Sequence, residues 1–229
     1  MKRTILFPLS TCLLLIPNGL NKAQSSATDN EMHTLTRRLY SRQIGNTYYS
    51  PSIETQQEVR ERLLAIAYES TSGRNRVVQA LIDLLNDTVT KEANSTAWNV
   101  GTNLLGRLKA AEAIDLLVAY IDYSDGVTGL SLGHIPSAWA LAEIGDPAVP
   151  KLIEALLYGK SLLFDNNARL REGAARALGR IGGIEAKQAL EQALGVETDK
   201  TVVFYIKGAL RTMSEQPRRK RNMRPVLRV

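Results

Sequence analysis

Cysteine and histidine are scarce in this 229-residue chain. The one cysteine, Cys12, lies in an N-terminal apolar segment, so the rest of the chain can form neither a disulfide nor a thiolate metal site. The two histidines, His33 and His134, are far apart in the sequence, and the familiar nucleophile and base pairs cannot be drawn from them. We therefore expect a protein that is not an enzyme, with no cofactor, no metal and no small-molecule substrate.

Positive charge is concentrated at the two ends of the chain. The formal net charge is +6, yet residues 217–229 contain six bases and no acid, and residues 1–23 contain three bases and no acid. Twenty of the 29 bases and all 23 acids lie between these ends, which gives the body a net charge of −3. The basic isoelectric point therefore does not indicate a basic binding face.

The N-terminus has the pattern of an export signal. A short cationic start at residues 1–3 precedes an apolar segment, residues 5–16, that is too short to span a bilayer. Ala23 and Ala27 are suitable cleavage positions, and we predict that residues 1–27 are a signal peptide of a periplasmic or extracellular protein. The alternative, a buried N-terminal helix, fits less well because Pro8 would interrupt it.

An internal repeat begins near residue 54. Four segments superpose at offsets of 36, 36 and 37 residues, and their apolar positions recur at i, i+3, i+4, i+7 and i+8, which is one stripe of an α-helix. The first of these aligned columns contains Val77, Ala113, Val149 and Ala186. Each unit is predicted to be a helix, a tight turn and a second helix, and a fifth first helix around residues 206–213 closes the array.

The turns and the first helices repeat as well. Gly145, Gly182 and Gly183 are placed to end first helices in the left-handed conformation, and Asp146 is placed to cap the next helix with Pro147 at its first position. Small residues recur on the first helices, which lets neighbouring helices approach closely; they are Ala138, Ala140, Ala174, Ala175 and Ala177.

Two segments resemble the halves of a known repeat. Residues 174–182 read Ala-Ala-Arg-Ala-Leu-Gly-Arg-Ile-Gly, and residues 144–153 read Ile-Gly-Asp-Pro-Ala-Val-Pro-Lys-Leu-Ile. This pattern resembles the short HEAT-like repeat first associated with phycobiliprotein lyases, well over residues 98–213 and more weakly over residues 54–90. The resemblance implies an all-α fold, a right-handed α-solenoid of helix-turn-helix repeats, which binds other macromolecules along a curved surface. No motif for bilin attachment or for action on alkylated DNA accompanies it.

Four regions follow from these patterns. Residues 1–27 are the predicted signal peptide, and residues 28–53 are an N-terminal cap or linker. Residues 54–213 form the repeat array of four units and a terminal helix, and residues 214–229 form a basic flexible tail.

We predict that a protein partner binds the second helices of the units. Their polar side chains point away from the apolar stripe and form what we call the second-helix face: Gln79, Asp83, Asp115, Lys151, Glu154, Lys187, Gln188 and Glu191. The alternative is an electrostatic anchor, in which the tail binds anionic lipid, polysaccharide or nucleic acid. Its cations are Arg218, Arg219, Lys220, Arg221, Arg224 and Arg228.

A row of arginines lies on one side of the first helices. Arg169, Arg176 and Arg180 share a face of the fourth unit's first helix, and Arg107 is the equivalent of Arg180 two units earlier. Acidic residues at 143 and 172 are placed to pair with them, so we predict a solvated, ion-paired face rather than a polyanion site. Trp98 and Trp139 are predicted to pack in the core or between repeats.

Overall fold

The computed structural model describes residues 29–44, 47–87, 95–123, 135–159 and 168–215. Residues 29–37 form helix α1, which is followed by a two-stranded antiparallel hairpin, β1 (Arg42–Ile44) and β2 (Thr47–Tyr49), in which Arg42 pairs with Tyr49. The hairpin is an addition to the predicted all-helical chain. It lies in the segment assigned to a cap or linker, before the first repeat.

Nine further helices follow in the described part of the chain. They are α2 (Ile53–Glu69), α3 (Thr71–Asn86), α4 (Ser95–Arg107), α5 (Ile114–Ala119), α6 (Pro136–Ile144), α7 (Val149–Tyr158), α8 (Ala168–Ile181), α9 (Ile184–Val196) and α10 (Lys200–Glu215). None of these described helices is both long enough and apolar enough to cross a bilayer.

The helices pack in two layers. In one layer α4 packs on α6, α6 on α8 and α8 on α10, and α2 touches α4; in the other layer α5 packs on α7 and α7 on α9. Each unit pairs one helix from each layer, as α2 with α3 and α8 with α9. The prediction of an all-α solenoid of helix-turn-helix repeats is confirmed.

The repeated apolar stripe forms the core between the layers. Val77, Ala113, Val149 and Ala186, the first aligned column, are all buried. None of the residues in the other four columns is exposed. The stripe is buried in every unit because a helix in a solenoid can remove apolar surface from water only against its own partner helix and its neighbours.

Glycines end two first helices as predicted. Gly145 has φ of 87°, Gly182 of 77° and Gly183 of 97°, values that L side chains rarely adopt. The prediction for Asp146 needs a correction, because α7 begins only at Val149, after the 3-10 turn Asp146–Ala148. The turn Ala111–Ala113 precedes α5 in the same way.

Small residues bring the first helices close together. The predicted alanines of α6 and α8 are all buried. A Cβ atom added to Gly106 would lie 2.9 Å from the Cα of Ala140, and one added to Gly179 would lie 2.5 Å from the Cβ of Ala209. The spacing of α4 to α6 and of α8 to α10 therefore depends on these glycines.

Helix α1 covers the open end of the first unit. Met32, Leu35 and Leu39 are buried in the common core. Two ion pairs join α1 and the turn that follows it to α2, Arg62 with Glu31 at 2.6 Å and Arg38 with Glu58 at 2.6 Å. The apolar end of the array is thereby closed by a short helix.

Trp98 lies at the centre of the second unit. Its side chain is fully buried, and its ring contacts Tyr120 and Tyr123 at centroid distances of 5.4 and 4.9 Å. The predicted packing role of Trp98 is confirmed. Trp139 is only half-buried and lies between α4 and α6, where its ring approaches Gly106.

Candidate functional site

The structure places the predicted partner-binding residues on the outer surface of the second helices. All eight side chains of the second-helix face are exposed. Helix α3 contributes Gln79 and Asp83, and α5 contributes Asp115. Helices α7 and α9 contribute the other five residues. Since α5, α7 and α9 pack side by side, six of the eight residues lie on one continuous layer.

The charges of this face are arranged in pairs. Lys151 Nζ lies 3.4 Å from Asp115 of the preceding unit and 3.4 Å from Glu154 of its own helix, and these carboxylates, Glu154 most strongly, raise the pKa of Lys151. Lys187 lies 3.5 Å from Glu191. Gln79 donates a hydrogen bond of 2.8 Å to Asp83. Exposed pairs of this kind contribute little to stability, so a partner can replace them at little cost.

Several predicted features lie outside the described residues. These are the signal peptide, His134 and the basic cations Arg218, Arg219, Lys220, Arg221, Arg224 and Arg228. Of the predicted flexible tail, residues 214–229, only residues 214 and 215 are described, and the prediction is wrong for these two because they form the end of α10.

The predicted ion pairs of the first-helix arginines are present. Arg176 lies 2.7 Å from Glu172 and Arg180 lies 2.8 Å from Glu143, which belongs to the preceding unit. The expectation of a solvated face was wrong for Arg176, whose side chain is 8% exposed and whose guanidinium stacks 4.6 Å from the centre of the Tyr205 ring. Packing of α10 on α8 buries this pair.

Arg107 differs from its equivalent in the fourth unit. It lines a cleft of about 500 Å³ on the first-helix layer, together with Arg60, Gln57, Asn99, Asn103 and Trp139. We call this hollow the arginine cleft. Helices α2, α4 and α6 each supply part of its wall, so it extends over three consecutive units.

The two arginines of the cleft have no carboxylate partner in the part of the chain that the structure describes. Glu61 also lines the cleft, but its carboxylate accepts a hydrogen bond of 2.6 Å from Gln57. Burial, and then the nearby charge of Arg107, lower the pKa of Arg60. Two arginines without an ion-pair partner in the described structure therefore share one concavity with a single carboxylate, that of Glu61.

Sequence reasoning missed this cleft. Arg107 was recognised as a member of the arginine row, but Arg60 lies 47 positions earlier on another helix. One signal was available in the sequence. Arg180 pairs with Glu143 of the preceding unit, whereas Arg107 has no equivalent acid in its own preceding unit.

No three histidine, cysteine, aspartate or glutamate side chains among the described residues lie close enough together to hold a metal ion. His33 is exposed, beside a hollow between α1 and α3.

The comparisons with known proteins agree with this architecture. Residues 137–204, from the third unit into the terminal helix, match the family model of HEAT repeats. This part of the chain is similar to HEAT repeats. No curated protein sequence matches it.

Two solved structures resemble the chain, both with low sequence identity and a low TM-score. One is the crystal structure of an engineered protein, 21% identical, with 86% of this chain and 84% of that chain covered and a TM-score of 0.36. The other is human deoxyhypusine hydroxylase in complex with glycerol, 15% identical, with 85% and 100% covered and a TM-score of 0.28. TM-scores this low indicate nothing about the fold or the activity of this chain.

Proposed function

We propose that this HEAT-like protein is an exported, non-catalytic binding or scaffold module of the cell envelope or exterior, which binds a protein partner along its second-helix face. The observation that carries the proposal is the continuous exposed layer formed by α5, α7 and α9. The binding surface of a solenoid is ordered before the partner arrives. Little of the binding free energy is therefore spent on ordering the protein.

The pairing of charges on this face favours a protein partner. Lysines and carboxylates alternate along it, and Lys151 joins the second unit to the third. A polyanion would meet Asp115, Glu154 and Glu191 as well as the lysines, whereas a protein surface can match both signs. The net charge of −3 on the body of the chain also disfavours a polyanion on this face.

Export rests on the sequence of residues 1–27. A cationic start, a short apolar segment and the small residues Ala23 and Ala27 are the parts of a signal peptide. N-terminal sequencing of the protein recovered from the cell envelope and from the medium tests this part. We expect the mature chain to begin at residue 24 or 28, and recovery of an intact Met1 from the cytoplasm alone would contradict export.

A charge-reversal experiment tests the face. The wild-type protein and the double variant Lys151→Glu with Lys187→Glu are used to capture partners from an envelope extract at low and high salt, and the captured proteins are identified by mass spectrometry. The matched control is Lys207→Glu with Lys200→Glu on α10, exposed lysines outside the second helices. We expect the face variant alone to lose a partner that the wild type retains at high salt. Equal capture by all three proteins would remove the face from the proposal.

The charge of the C-terminus supports a second candidate function. Residues 217–229 contain six bases and no acid, a composition that binds anionic lipid, polysaccharide or nucleic acid with an affinity that falls as salt rises. In this alternative the tail anchors the protein and the repeats are carried by it. A variant ending at Gln216 separates the two functions. If the protein is an anchor, removal of the tail abolishes all binding, and if it is a scaffold, the partner is still bound.

A further inference from the structure

The arginine cleft brings together two arginines that form no ion pair in the described structure. Six other described arginines have carboxylate partners at 2.6–2.9 Å, namely Arg38, Arg62, Arg74, Arg171, Arg176 and Arg180. Arg60 and Arg107 have none within the described ranges, although they lie in the same concavity. Holding two like charges together without a counterion opposes folding, and a bound anion would relieve that cost.

The neutral groups of the cleft are suited to an organic ligand. Asn99 and Asn103 on α4 line the wall, and the buried Oδ1 of Asn99 has no hydrogen-bond partner. The ring of Trp139 and the side chain of Leu64 supply apolar surface to the lining. The volume of about 500 Å³ lies within the usual range for ligand sites. The cleft can hold a few residues of an extended chain.

Charge density selects among anionic ligands. Two cations with the carboxylate of Glu61 beside them leave one net positive charge, which balances a single negative charge and not a run of phosphates. A guanidinium binds a carboxylate through two parallel hydrogen bonds, and amide side chains bind peptide backbone groups. The net charge of −3 on the body of the chain further disfavours nucleic acid and polyphosphate.

We propose that the arginine cleft binds an acidic side chain of an extended peptide segment, whose carboxylate accepts hydrogen bonds from Arg60 and Arg107 while Asn99 and Asn103 bind the neighbouring backbone. The cleft lies on the layer of first helices, so this site is separate from the second-helix face. It depends on the proposed function only in that its ligand belongs to a protein.

The test is a titration of the full chain with a synthetic peptide, acetyl-Ala-Glu-Leu-Glu-Ala-amide, followed by the indole N–H resonances in NMR spectra. Trp139 lines the cleft and Trp98 is buried in the core, so the second indole is an internal control. We expect a saturable shift of the Trp139 resonance alone. The same peptide with glutamine in place of glutamate, and inorganic phosphate, should give no comparable shift.

Variants identify the residues responsible. Arg60→Gln and Arg107→Gln are each expected to weaken peptide binding about tenfold or more, because each removes a charge-assisted bidentate contact. Arg211→Gln, an exposed arginine on α10, is the matched control and should bind as the wild type does. Neither cleft variant is expected to lower the melting temperature, since neither arginine forms an ion pair within the described structure and each substitution removes the repulsion between the two cations.

Three outcomes would overturn the proposal. They are the absence of a saturable shift, an equal shift with the glutamine peptide or with phosphate, and unchanged affinity in both cleft variants. The double reversal of Lys151 and Lys187 separates this proposal from the previous one. It should leave peptide binding intact, so a failure of the second-helix face does not affect the result for the cleft.

Discussion

The carboxylate of Glu197 joins the fourth unit to the terminal helix. Its Oε2 accepts a hydrogen bond of 2.6 Å from Arg171 Nε, and its Oε1 accepts two of 2.9 Å from the backbone N–H groups of Thr198 and Asp199 and one of 3.1 Å from Arg171 Nη2. The glutamate side chain is 7% exposed and that of Arg171 is 25% exposed. One carboxylate thus connects α8 to the segment between α9 and α10.

Glu197→Gln changes this contact at a single atom. The amide oxygen can still accept the bonds made to Oε1, but the amide NH₂ at the position of Oε2 meets the Nε–H of Arg171, so that two donors face each other. Breaking a buried ion pair costs about 3–5 kcal/mol, and leaving a buried polar group unpaired costs about 1–3 kcal/mol. Because Arg171 is partly solvated, we expect a loss of about 2–3 kcal/mol in the free energy of unfolding.

The loss should depend on pH. Burial raises the pKa of Glu197, but the hydrogen bonds from Arg171 and from the backbone N–H of Asp199 outweigh it, and the pKa is lowered overall. A lowered carboxyl pKa gives stability that is complete above the unfolded value of about 4.3 and is lost as pH falls through the folded value. The difference between wild type and variant should therefore be complete at pH 7 and smaller in acid.

Urea unfolding at pH 7 and in acid provides the measurement, with circular dichroism for all helices and tryptophan fluorescence for Trp98 and Trp139 in the second and third units. Units of a solenoid interact mainly with their neighbours, so the dichroism transition should shift more than the fluorescence transition. Glu58→Gln is the control, because its pair with Arg38 is exposed and should contribute much less to stability than the buried pair of Glu197 with Arg171. An unfolding free energy for Glu197→Gln within about 0.5 kcal/mol of wild type at pH 7 would refute the reasoning.

Two further predictions concern packing and use the same unfolding assay. Gly179→Ala should destabilise the protein by about 1–3 kcal/mol, because the new Cβ would lie 2.5 Å from that of Ala209, whereas Gly208→Ala, where a Cβ meets nothing within 4 Å, should stabilise α10 by about 0.5–1 kcal/mol. Equal effects of the two substitutions would show that α8 and α10 are not in close contact. Trp98→Ala should cost about 3–5 kcal/mol, because it empties the fully buried centre of the second unit. A cost below about 1 kcal/mol would contradict that packing.

Local periodicity explains why the repeat could be predicted from the sequence. The stripe that begins with Val77 in the first unit and with Ala186 in the fourth is set by the 3.6-residue turn of the helix, and burial follows from it. The positions of Gly145 and Gly182 could also be predicted locally, because the positive φ of the turn by itself favours glycine there.

Two features of the fold were not predicted from the sequence. The hairpin at residues 42–49 precedes the repeats and has no counterpart in them. Asp146 was predicted to cap α7, but it is the first residue of a 3-10 turn, Asp146–Ala148, and α7 begins only after this turn.

The sequence by itself determined that this chain is an array of helix-turn-helix units, because each unit repeats the same apolar stripe and turn within about 36 residues. Only the tertiary structure decided which charges meet outside the predicted arginine row. Glu197 pairs with Arg171 across 26 positions, while Arg60 and Arg107 are brought together without an ion-pair partner in the described structure. Such pairs depend on how one helix is rotated against another, which the packing of buried side chains sets and no local pattern records.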